Sequence, residues 1–436
     1  MPIIKPFRGI RYSPQVIGDL AQVVCPPYDV ISPTQQEMYH QRHPHNVIRL
    51  ILAKDQPGDD DRRNRYTRAG ECFRDWLQKG ILVHDESPAI YVYEQEFPLG
   101  SQTRARRGFI ARVRLEEFGD GQIYPHEQTM SGPKQDRLRL MESCHANLSQ
   151  VFALYPEGDG SVSAALADAT SRPPTVHFRD EHGTVNRLWM LKEDNGIRRL
   201  ADGMRSRPLF IADGHHRYET ALEYRRRHAG GDADAACNFI MMMCVSLADP
   251  GLCILPTHRL VRSRLRCATL CDGLKASFDL REMAGFPAAD TIVESLGQAP
   301  GRHVFALVAH GAERWFVLTA RDPVRLGGAG RGHCPAWQEL DVSILHALVI
   351  EPSFGIPSTA LSHHPDIAYV RDEGEALALV REGHFQFAFF LNPTQVGQVS
   401  QVASAGDKMP PKSTYFFPKL LTGLVISPLE GSSARA

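Results

Sequence analysis

The chain has 436 residues, of which 43% are hydrophobic and 23% charged, an ordinary balance for a globular protein with more than one lobe. Its 49 Lys and Arg residues almost cancel its 50 Asp and Glu residues, so the basic excess of a general nucleic-acid binder is missing. No stretch offers the about 18 uncharged apolar residues of a membrane span, and nine cysteines without a Cys-x-x-Cys pair argue against a disulfide scaffold.

Hydrophobic patterning predicts the secondary structure in chain order. The apolar run Asn46–Leu52 predicts a strand. Arg62–Lys79 predicts a helix with Tyr66 and Trp76 on one face and Gly80 after its end. Further elements follow from apolar runs and alternation: hairpin strands Ile90–Phe97 and Arg107–Leu115, helices Lys134–Asn147, Trp337–Ile350 and Glu373–Arg381, and strands Val151–Tyr155, Thr175–Phe178, Phe210–Ala212, Asn238–Val245, His303–Val308, Trp315–Leu318 and Phe385–Leu391.

Helices and strands are interspersed, which predicts a mixed α/β (α+β) fold with antiparallel hairpins. The chain is long for one hydrophobic core, and the loop-rich segment Gly285–Gly301 is the predicted boundary between two lobes. We expect a main lobe at 1–284 and a second α/β lobe at 285–427 that contributes a C-terminal loop to the site. The small polar residues of 428–436 predict a flexible tail.

The densest group of reactive side chains is Asp213–Arg217. An apolar strand precedes it, Gly214 forms the turn and a helix follows, so His215, His216 and Arg217 lie at a strand-to-helix junction. Backbone N–H groups and the helix dipole attract anions at such a junction. A salt-bridged turn with capping histidines is the alternative. An acid, two imidazoles and a guanidinium beside a glycine favour the binding or transfer of a phosphoryl group.

A second group of ionisable residues lies in the loop Tyr124–Thr129, which includes His126 and Glu127. Lys134 and Arg137 follow on the next predicted helix. A loop of this composition before a helix N-terminus suits a general base and a substrate clamp. An exposed polar loop is the alternative interpretation.

A third candidate is the proline-rich loop Met409–Lys419, in which Lys412, Ser413 and Thr414 follow two prolines. The prolines stiffen the loop, and its lysine, hydroxyls and aromatic rings could line a ligand site. A packed surface loop is the alternative.

Arginines repeat at every second position in parts of one predicted strand, at Arg104 and Arg106 and again at Arg112 and Arg114. Side chains two residues apart share a face of a strand, so this face could follow a phosphate backbone. Because the overall charge is balanced, we interpret it as a solvated strand face.

These motifs together resemble a known family. The segment Ala212–Leu222 is similar to one found in the domain-of-unknown-function (DUF) family numbered 1015. Further matches to that family are Lys5–Tyr12, Pro26–Ser32, Asn46–Leu50, Pro125–Thr129, Leu255–Arg259 and Pro410–Lys419. The matches extend over nearly the whole chain.

The Asp-Gly-His-His-Arg turn is also similar to the phosphate-binding box of the ParB/sulfiredoxin superfamily, which includes kinases that phosphorylate free serine. In those kinases a Pro-His-Glu segment precedes the turn, as Pro125–Glu127 does here. The resemblance implies a ParB/sulfiredoxin-like phosphate-binding core with large insertions. It also implies that Glu127 deprotonates the acceptor hydroxyl and that the turn holds the donor's phosphates.

On this basis the catalytic residues are expected to be Glu127, Asp213 and His216, with Asp213 also holding Mg²⁺ directly or through water, or orienting a histidine. The expected phosphate- and substrate-binding residues are Gly214, His215, Arg217, His126, Thr129, Lys134, Arg137, Lys412, Ser413 and Thr414.

The predicted function is a phosphotransferase for a small hydroxyl compound, with free L-serine as the best single acceptor and a nucleotide or pyrophosphate as donor. A phosphatase of a small phosphate ester and a ParB-like nucleotide-binding module without turnover remain open, because both need the same phosphate site. We expect a small-molecule substrate, no membrane or nucleic-acid partner and a cytoplasmic location, since the chain starts without a signal-peptide pattern. A homodimer is left open.

Overall fold

The computed structural model describes residues 1–298, 301–321, 324 and 326–429, which divide into two compact units. The first unit comprises 1–125, 129–252 and the segment from 418 onwards, and the second comprises 126–128 and 253–417. The sequence placed the boundary at 284/285, whereas here the chain enters the second unit after 252, because two strands before residue 285 pair within the second unit's sheet. Of the predicted flexible tail, residues 430–436 lie outside the described residues.

Numbered along the whole chain, the strands of the first unit are β1 (Ile4–Lys5), β2 (Ile10–Tyr12), β3 (Leu82–His84), β4 (Ile90–Leu99), β5 (Gln102–Arg114), β6 (Ile123–Tyr124), β7 (Ala146–Asn147), β8 (Val151–Tyr155), β9 (Val176–Arg179), β10 (Val185–Leu191), β11 (Leu209–Asp213), β12 (Phe239–Ser246) and β21 (Ser427–Pro428). Nine of these strands of the described chain form a mixed sheet in the order β6-β11-β8-β12-β5-β4-β10-β9, with β1 paired to β5. The pairs β11–β6 and β12–β8 are parallel and the others antiparallel.

Helices of the first unit bury apolar side chains against this sheet. Leu138, Leu166, Leu200 and Leu222, from four successive helices, share a core with Ile211 of β11. The N-terminal helices form a neighbouring core of their own. The helices are α1 (Pro33–Arg42), α2 (Ile48–Ile51), α3 (Arg65–Gln78), α4 (Ser131–Cys144), α5 (Ser161–Thr170), α6 (Asp194–Met204) and α7 (His215–His228).

The strands of the second unit are β13 (Cys253–Ile254), β14 (His258–Val261), β15 (Phe278–Ala284), β16 (Val304–Ala309), β17 (Arg314–Ala320), β18 (Ile367–Val370), β19 (Phe387–Leu391) and β20 (Phe416–Phe417). They form an antiparallel sheet in the order β15-β17-β16-β19-β14-β18 and a separate ribbon of β13 with β20. Its helices are α8 (Cys267–Leu274), α9 (Ala289–Gly297), α10 (Pro335–Gln338), α11 (Asp341–Leu345), α12 (Glu351–Phe354), α13 (Glu373–Arg381) and α14 (Val396–Ser404), with a π-helical turn at His346–Ile350.

The mixed α/β class is confirmed, but two predicted elements are wrong. The strand expected at Asn46–Leu52 is the short helix α2, because the Asn46 side chain accepts the N–H of Ile48 at 3.0 Å and starts a helical turn. The helix expected at Trp337–Ile350 is interrupted, since Leu340 has an extended backbone with ψ 130° that separates α10 from α11.

The interpretation of the arginine strand as a solvated face is wrong at Arg106, which is fully buried. Its Nη2 donates to the carbonyl of Pro418 at 2.6 Å, and its guanidinium lies 4.9 Å from the centre of the Phe152 ring. The C-terminal segment of the first unit covers this part of β5, which a two-residue period within the strand could not predict.

No helix in the described part of the chain is long and apolar enough to cross a membrane.

Candidate functional site

The strand-to-helix turn predicted to bind phosphate lies in the first unit. β11 ends at Asp213, with a register shift against β8 between Ile211 and Asp213, and α7 begins at His215. Gly214 has φ +91°, in the left-handed region, and a methyl group there would come 2.9 Å from the Arg217 guanidinium. The positive φ therefore favours glycine, and a side chain there would displace the Arg217 guanidinium. An α-helix leaves its first N–H groups without an acceptor inside the helix, which favours an anion at this end.

The carboxylate of Asp213 lies between two cations of the same unit. Its Oδ2 is 3.2 Å from Arg217 Nη2, and its Oδ1 is 3.5 Å from Lys419 Nζ. Burial would raise the pKa of Asp213, but the charges of Lys419, Arg217 and His215 outweigh it and lower the pKa to about 2. Asp213 is thus ionised at neutral pH, and the group of Asp213, Arg217 and Lys419 has a net charge of +1.

Arg217 is fixed from two sides. Besides its contact with Asp213, its Nη1 donates to the carbonyl of Gln150. The residue is buried, as is the neighbouring His215. A guanidinium has five donors in a rigid plane, so these two partners set the direction in which the remaining donors point.

His216 contacts the chain just before α4. The backbone N–H of Met130 donates to His216 Nε2 at 3.0 Å. Because an accepting Nε2 has no proton, the neutral ring holds its proton on Nδ1. Thr129, next to Met130, is partly exposed in the same unit. The end of the predicted Pro125–Thr129 loop therefore lies beside the turn.

Lys134 forms an ion pair with α7, with its Nζ 2.8 Å from Glu219 Oε2. Both side chains line an open cavity of about 550 Å³, together with Ser131 and Leu222. This volume is in the range of small-molecule sites. The α7 residues that line the cavity run from Glu219 to Arg227, so it lies further along the same helix than the turn Asp213–Arg217.

Arg137 was predicted to clamp a substrate, but its donors serve the protein interior. Its Nε donates to Asp136 Oδ2 and its Nη1 to the carbonyl of Ile51, each at 2.7 Å. The guanidinium also lies 3.9 Å from the centre of the Tyr28 ring, and the residue is buried. This geometry favours a structural role that ties α4 to the N-terminal helices.

In the second unit, His126 lies against the proline-rich loop. Its Nε2 is 3.0 Å from Thr414 Oγ1, and its carbonyl accepts the N–H of Met409 at 2.8 Å. His126 is buried, whereas Glu127, which follows it, is partly exposed. His126 and Thr414 are thus brought together as the sequence suggested, through contacts that fix the loop.

The tip of this loop is braced internally. Lys412 has φ +59° and an exposed side chain, and its carbonyl accepts from Arg259 at 3.2 Å. The Ser413 hydroxyl donates to the carbonyl of Pro410, while the Ser413 carbonyl accepts from the Thr394 hydroxyl at 2.8 Å. The predicted binding role of Ser413 is disfavoured, because its hydroxyl is buried and used within the loop.

The profile of a family described as "Protein of unknown function (DUF1015)" matches residues 4–343. The chain belongs to this family. No curated protein matches the chain.

Solved structures similar to this DUF1015 protein include a conserved hypothetical protein from Pyrococcus furiosus, with 14% identity, a TM-score of 0.31 and coverage of 69% of this chain and 89% of that one. A free serine kinase in complex with AMP has 14% identity, a TM-score of 0.33 and coverage of 68% and 83%. A mutant of a free serine kinase in complex with ADP has 13% identity, a TM-score of 0.33 and coverage of 68% and 84%. At these TM-scores the similarity assigns no activity to the chain.

A magnesium ion at Asp213 does not fit the side chains present. Both oxygens of this carboxylate already face a cation, Arg217 on one side and Lys419 on the other. Among the described residues, no group of three or more His, Cys, Asp or Glu side chains is placed to hold a metal ion. Arg217 and Lys419 would repel a divalent cation at this carboxylate, so the geometry favours Asp213 as the group that orients the two cations.

Lys419 is a site residue that was not among those predicted from the sequence. Lys419 closes the motif from which Lys412, Ser413 and Thr414 were chosen, but it lies in the first unit, against Asp213. The available signal was a second lysine, Lys419, in the same proline-rich motif as Lys412. Nothing in the sequence indicates that Gln150 would supply a carbonyl to Arg217, because any residue has a carbonyl.

Proposed function

We propose that this protein is a phosphotransferase that moves a phosphoryl group to a small hydroxyl compound, with free L-serine as the preferred acceptor. The supporting observation is the excess of positive charge at the N-terminus of α7, where Arg217 and Lys419 flank the single carboxylate of Asp213. A nucleotide or pyrophosphate donor brings a chain of charged phosphates that matches this excess. The helix N-terminus adds to the attraction.

In this proposal Arg217, Lys419 and His215 bind the donor's phosphates, and Asp213 keeps the two cations in place. Phosphoryl transfer depends mainly on position and charge neutralisation, which fixed cations provide. His216, which the Met130 N–H holds at this junction, would be a further contact to a phosphate oxygen.

The acceptor would be activated by Glu127. As the hydroxyl oxygen bonds to phosphorus, Glu127 takes its proton, the bond from phosphorus to the donor oxygen breaks, and the shortened donor leaves with the electron pair. The cavity beside α7 suits an amino-acid acceptor, because Lys134 and Glu219 could pair with its carboxylate and ammonium groups. Thr129 and Lys412 remain proposed contacts to substrate or phosphate.

The test is formation of O-phosphoserine by the purified full-length protein, with ATP, ADP and pyrophosphate offered in turn as donors. We expect turnover with at least one donor, and a loss of about 10²-fold or more in kcat/KM when Lys419→Met removes a phosphate-binding charge. Lys275→Met is the matched control, since Lys275 lies just after α8, is exposed and pairs with Asp272 of that helix. It should leave the rate unchanged.

The same assay separates the alternatives. Release of inorganic phosphate from O-phosphoserine without transfer in either direction would replace the proposal by a phosphatase. The protein would instead be a nucleotide-binding module if it binds nucleotide tightly but shows no turnover with any donor, whether serine or another hydroxy acid is the acceptor.

A further inference from the structure

Two cysteines of the second unit, which the proposed function does not use, lie together on α8. Cys267 is the first residue of this helix and Cys271 lies one turn further on. Their sulfur atoms are 3.9 Å apart and within hydrogen-bonding distance. Cys267 is partly exposed, whereas Cys271 is buried beneath it. An accessible thiol thus has a second thiol directly behind it.

The environment makes the two thiols unequal. The hydrogen bond from Cys271 lowers the pKa of Cys267 to about 7, against the opposing effect of burial, while the same hydrogen bond raises the pKa of Cys271. The position of Cys267 at a helix N-terminus also favours a thiolate, because the helix dipole is positive there. The partly exposed Cys267 is therefore the better nucleophile of the two.

The helix allows the two sulfurs to bond. Residues four apart in an α-helix have Cα atoms about 6 Å apart, within the separation of about 4.4–6.8 Å that disulfides span. The sulfurs need to approach by about 2 Å to reach bonding distance. The Cβ atoms of such a pair are about 5–6 Å apart in a regular helix and about 3.5–4.5 Å apart in a disulfide, so the first turn of α8 must also loosen. Cys267 can supply this movement, since it is the first residue of the helix and partly exposed.

We propose that Cys267 and Cys271 form a redox-active dithiol that a hydroperoxide oxidises to a disulfide. The Cys267 thiolate attacks the outer oxygen of the peroxide, the O–O bond breaks, and the leaving alkoxide or hydroxide takes a proton from solvent. Cys267 is then a sulfenic acid. The Cys271 sulfur attacks the Cys267 sulfur, the S–O bond breaks, and hydroxide leaves with the Cys271 proton as water. Two thiols have lost two electrons to one peroxide, and an external thiol reverses the change.

Other cysteines of the chain provide an internal comparison. Burial raises the pKa of Cys72 to about 11, although its side chain is partly exposed like that of Cys267. Burial likewise raises the pKa of Cys144 to about 12. Reactivity toward peroxide follows the thiolate fraction and exposure, so the dithiol on α8 should react before these residues do.

The experiment treats the full-length wild-type protein with hydrogen peroxide, quenches with an alkylating reagent and follows each cysteine peptide by mass spectrometry. We expect neither cysteine of the peptide that contains Cys267 and Cys271 to be alkylated after oxidation, and the mass of this peptide to fall by two hydrogen atoms. Dithiothreitol should restore alkylation of both cysteines. The loss at Cys267 should be more than about tenfold faster than at Cys72 in the same digest, since a pKa difference of several units changes the thiolate fraction by more than that.

A variant identifies the order of events. In Cys271→Ser the sulfenic acid on Cys267 has no partner thiol, so it should be trapped by dimedone, while Cys72→Ser should leave disulfide formation unchanged. The proposal is overturned if both thiols of the wild type stay open to alkylation after Cys72 has reacted. It is also overturned if Cys267 passes to sulfinic acid or to an intermolecular disulfide while Cys271 remains a free thiol. The wild-type measurement stands even if a variant fails to fold.

Discussion

The charge of Asp213 links pH to stability at a single residue. Its pKa is about 2 in the folded protein, below the value of about 3.9 of an unfolded chain. A carboxyl whose pKa is lowered by folding stabilises the protein above the unfolded pKa, and this contribution is lost as the pH falls through the folded pKa. Asp213→Asn should therefore lower the free energy of unfolding by about 2 kcal/mol at pH 7. The difference should shrink as the pH falls below about 4 and be mostly lost at pH 2, where Asp213 is about half protonated.

The measurement is denaturant unfolding of both proteins at several values between pH 7 and pH 2. Asp272→Asn is the control, because Asp272 is an exposed carboxylate whose pair with Lys275 contributes little. Asp213 would not be the counter-charge of Arg217 and Lys419 if the difference in unfolding free energy between wild type and Asp213→Asn stays constant or grows on acidification.

At the scale of elements, the junction of β11 and α7 should respond to anions. Phosphate or pyrophosphate that binds only the folded protein raises its stability according to concentration and affinity, so each should raise Tm. Arg217→Ala should abolish most of this rise, because it removes a buried donor fixed by Asp213 and Gln150. The measurement is thermal unfolding with increasing anion, compared with chloride at equal ionic strength and with Lys275→Met. A full rise in Arg217→Ala would locate the anion elsewhere.

Elements with a clear local signal were predictable. The central strands β8 and β12 and the helix α3 follow from long apolar runs or a marked apolar face, and the Asn64 side chain shows why α3 starts after the predicted Arg62. The strand expected at Asn46–Leu52 failed because a short apolar run fits a buried helical turn as well as a strand. The side-chain cap from Asn46 decided between them.

At the scale of the whole molecule, the candidate site assembles from segments far apart in sequence. The turn Asp213–Arg217 was predictable because its residues are adjacent and the glycine is diagnostic. The Lys419–Asp213 contact was not, because it depends on the path by which the C-terminal segment returns to the first unit. Arg137 is the opposite case, a residue predicted to be in the site that the structure places elsewhere. Its position after a loop of ionisable residues suggested a substrate clamp, but it is buried against Tyr28 and Ile51.

The relation between Glu127 and the turn stays a prediction that kinetics can test. A general base must come within about 3 Å of the acceptor hydroxyl while the phosphates remain at the turn, so both must serve one substrate complex. Glu127→Gln keeps the size of the side chain and removes its ability to take a proton. Binding of the donor should therefore remain, while kcat for phosphoserine formation falls by about 10²–10⁴-fold.

The exposed Glu86 in the first unit is the matched position, and Glu86→Gln should change neither the donor affinity nor the rate. Donor affinity is measured by titration calorimetry and turnover by phosphoserine formation and its reverse. If turnover in Glu127→Gln is unchanged, Glu127 is not the base. If donor binding is lost together with turnover, the glutamate acts on the phosphates, since a residue that only accepts the acceptor's proton has no part in holding the donor.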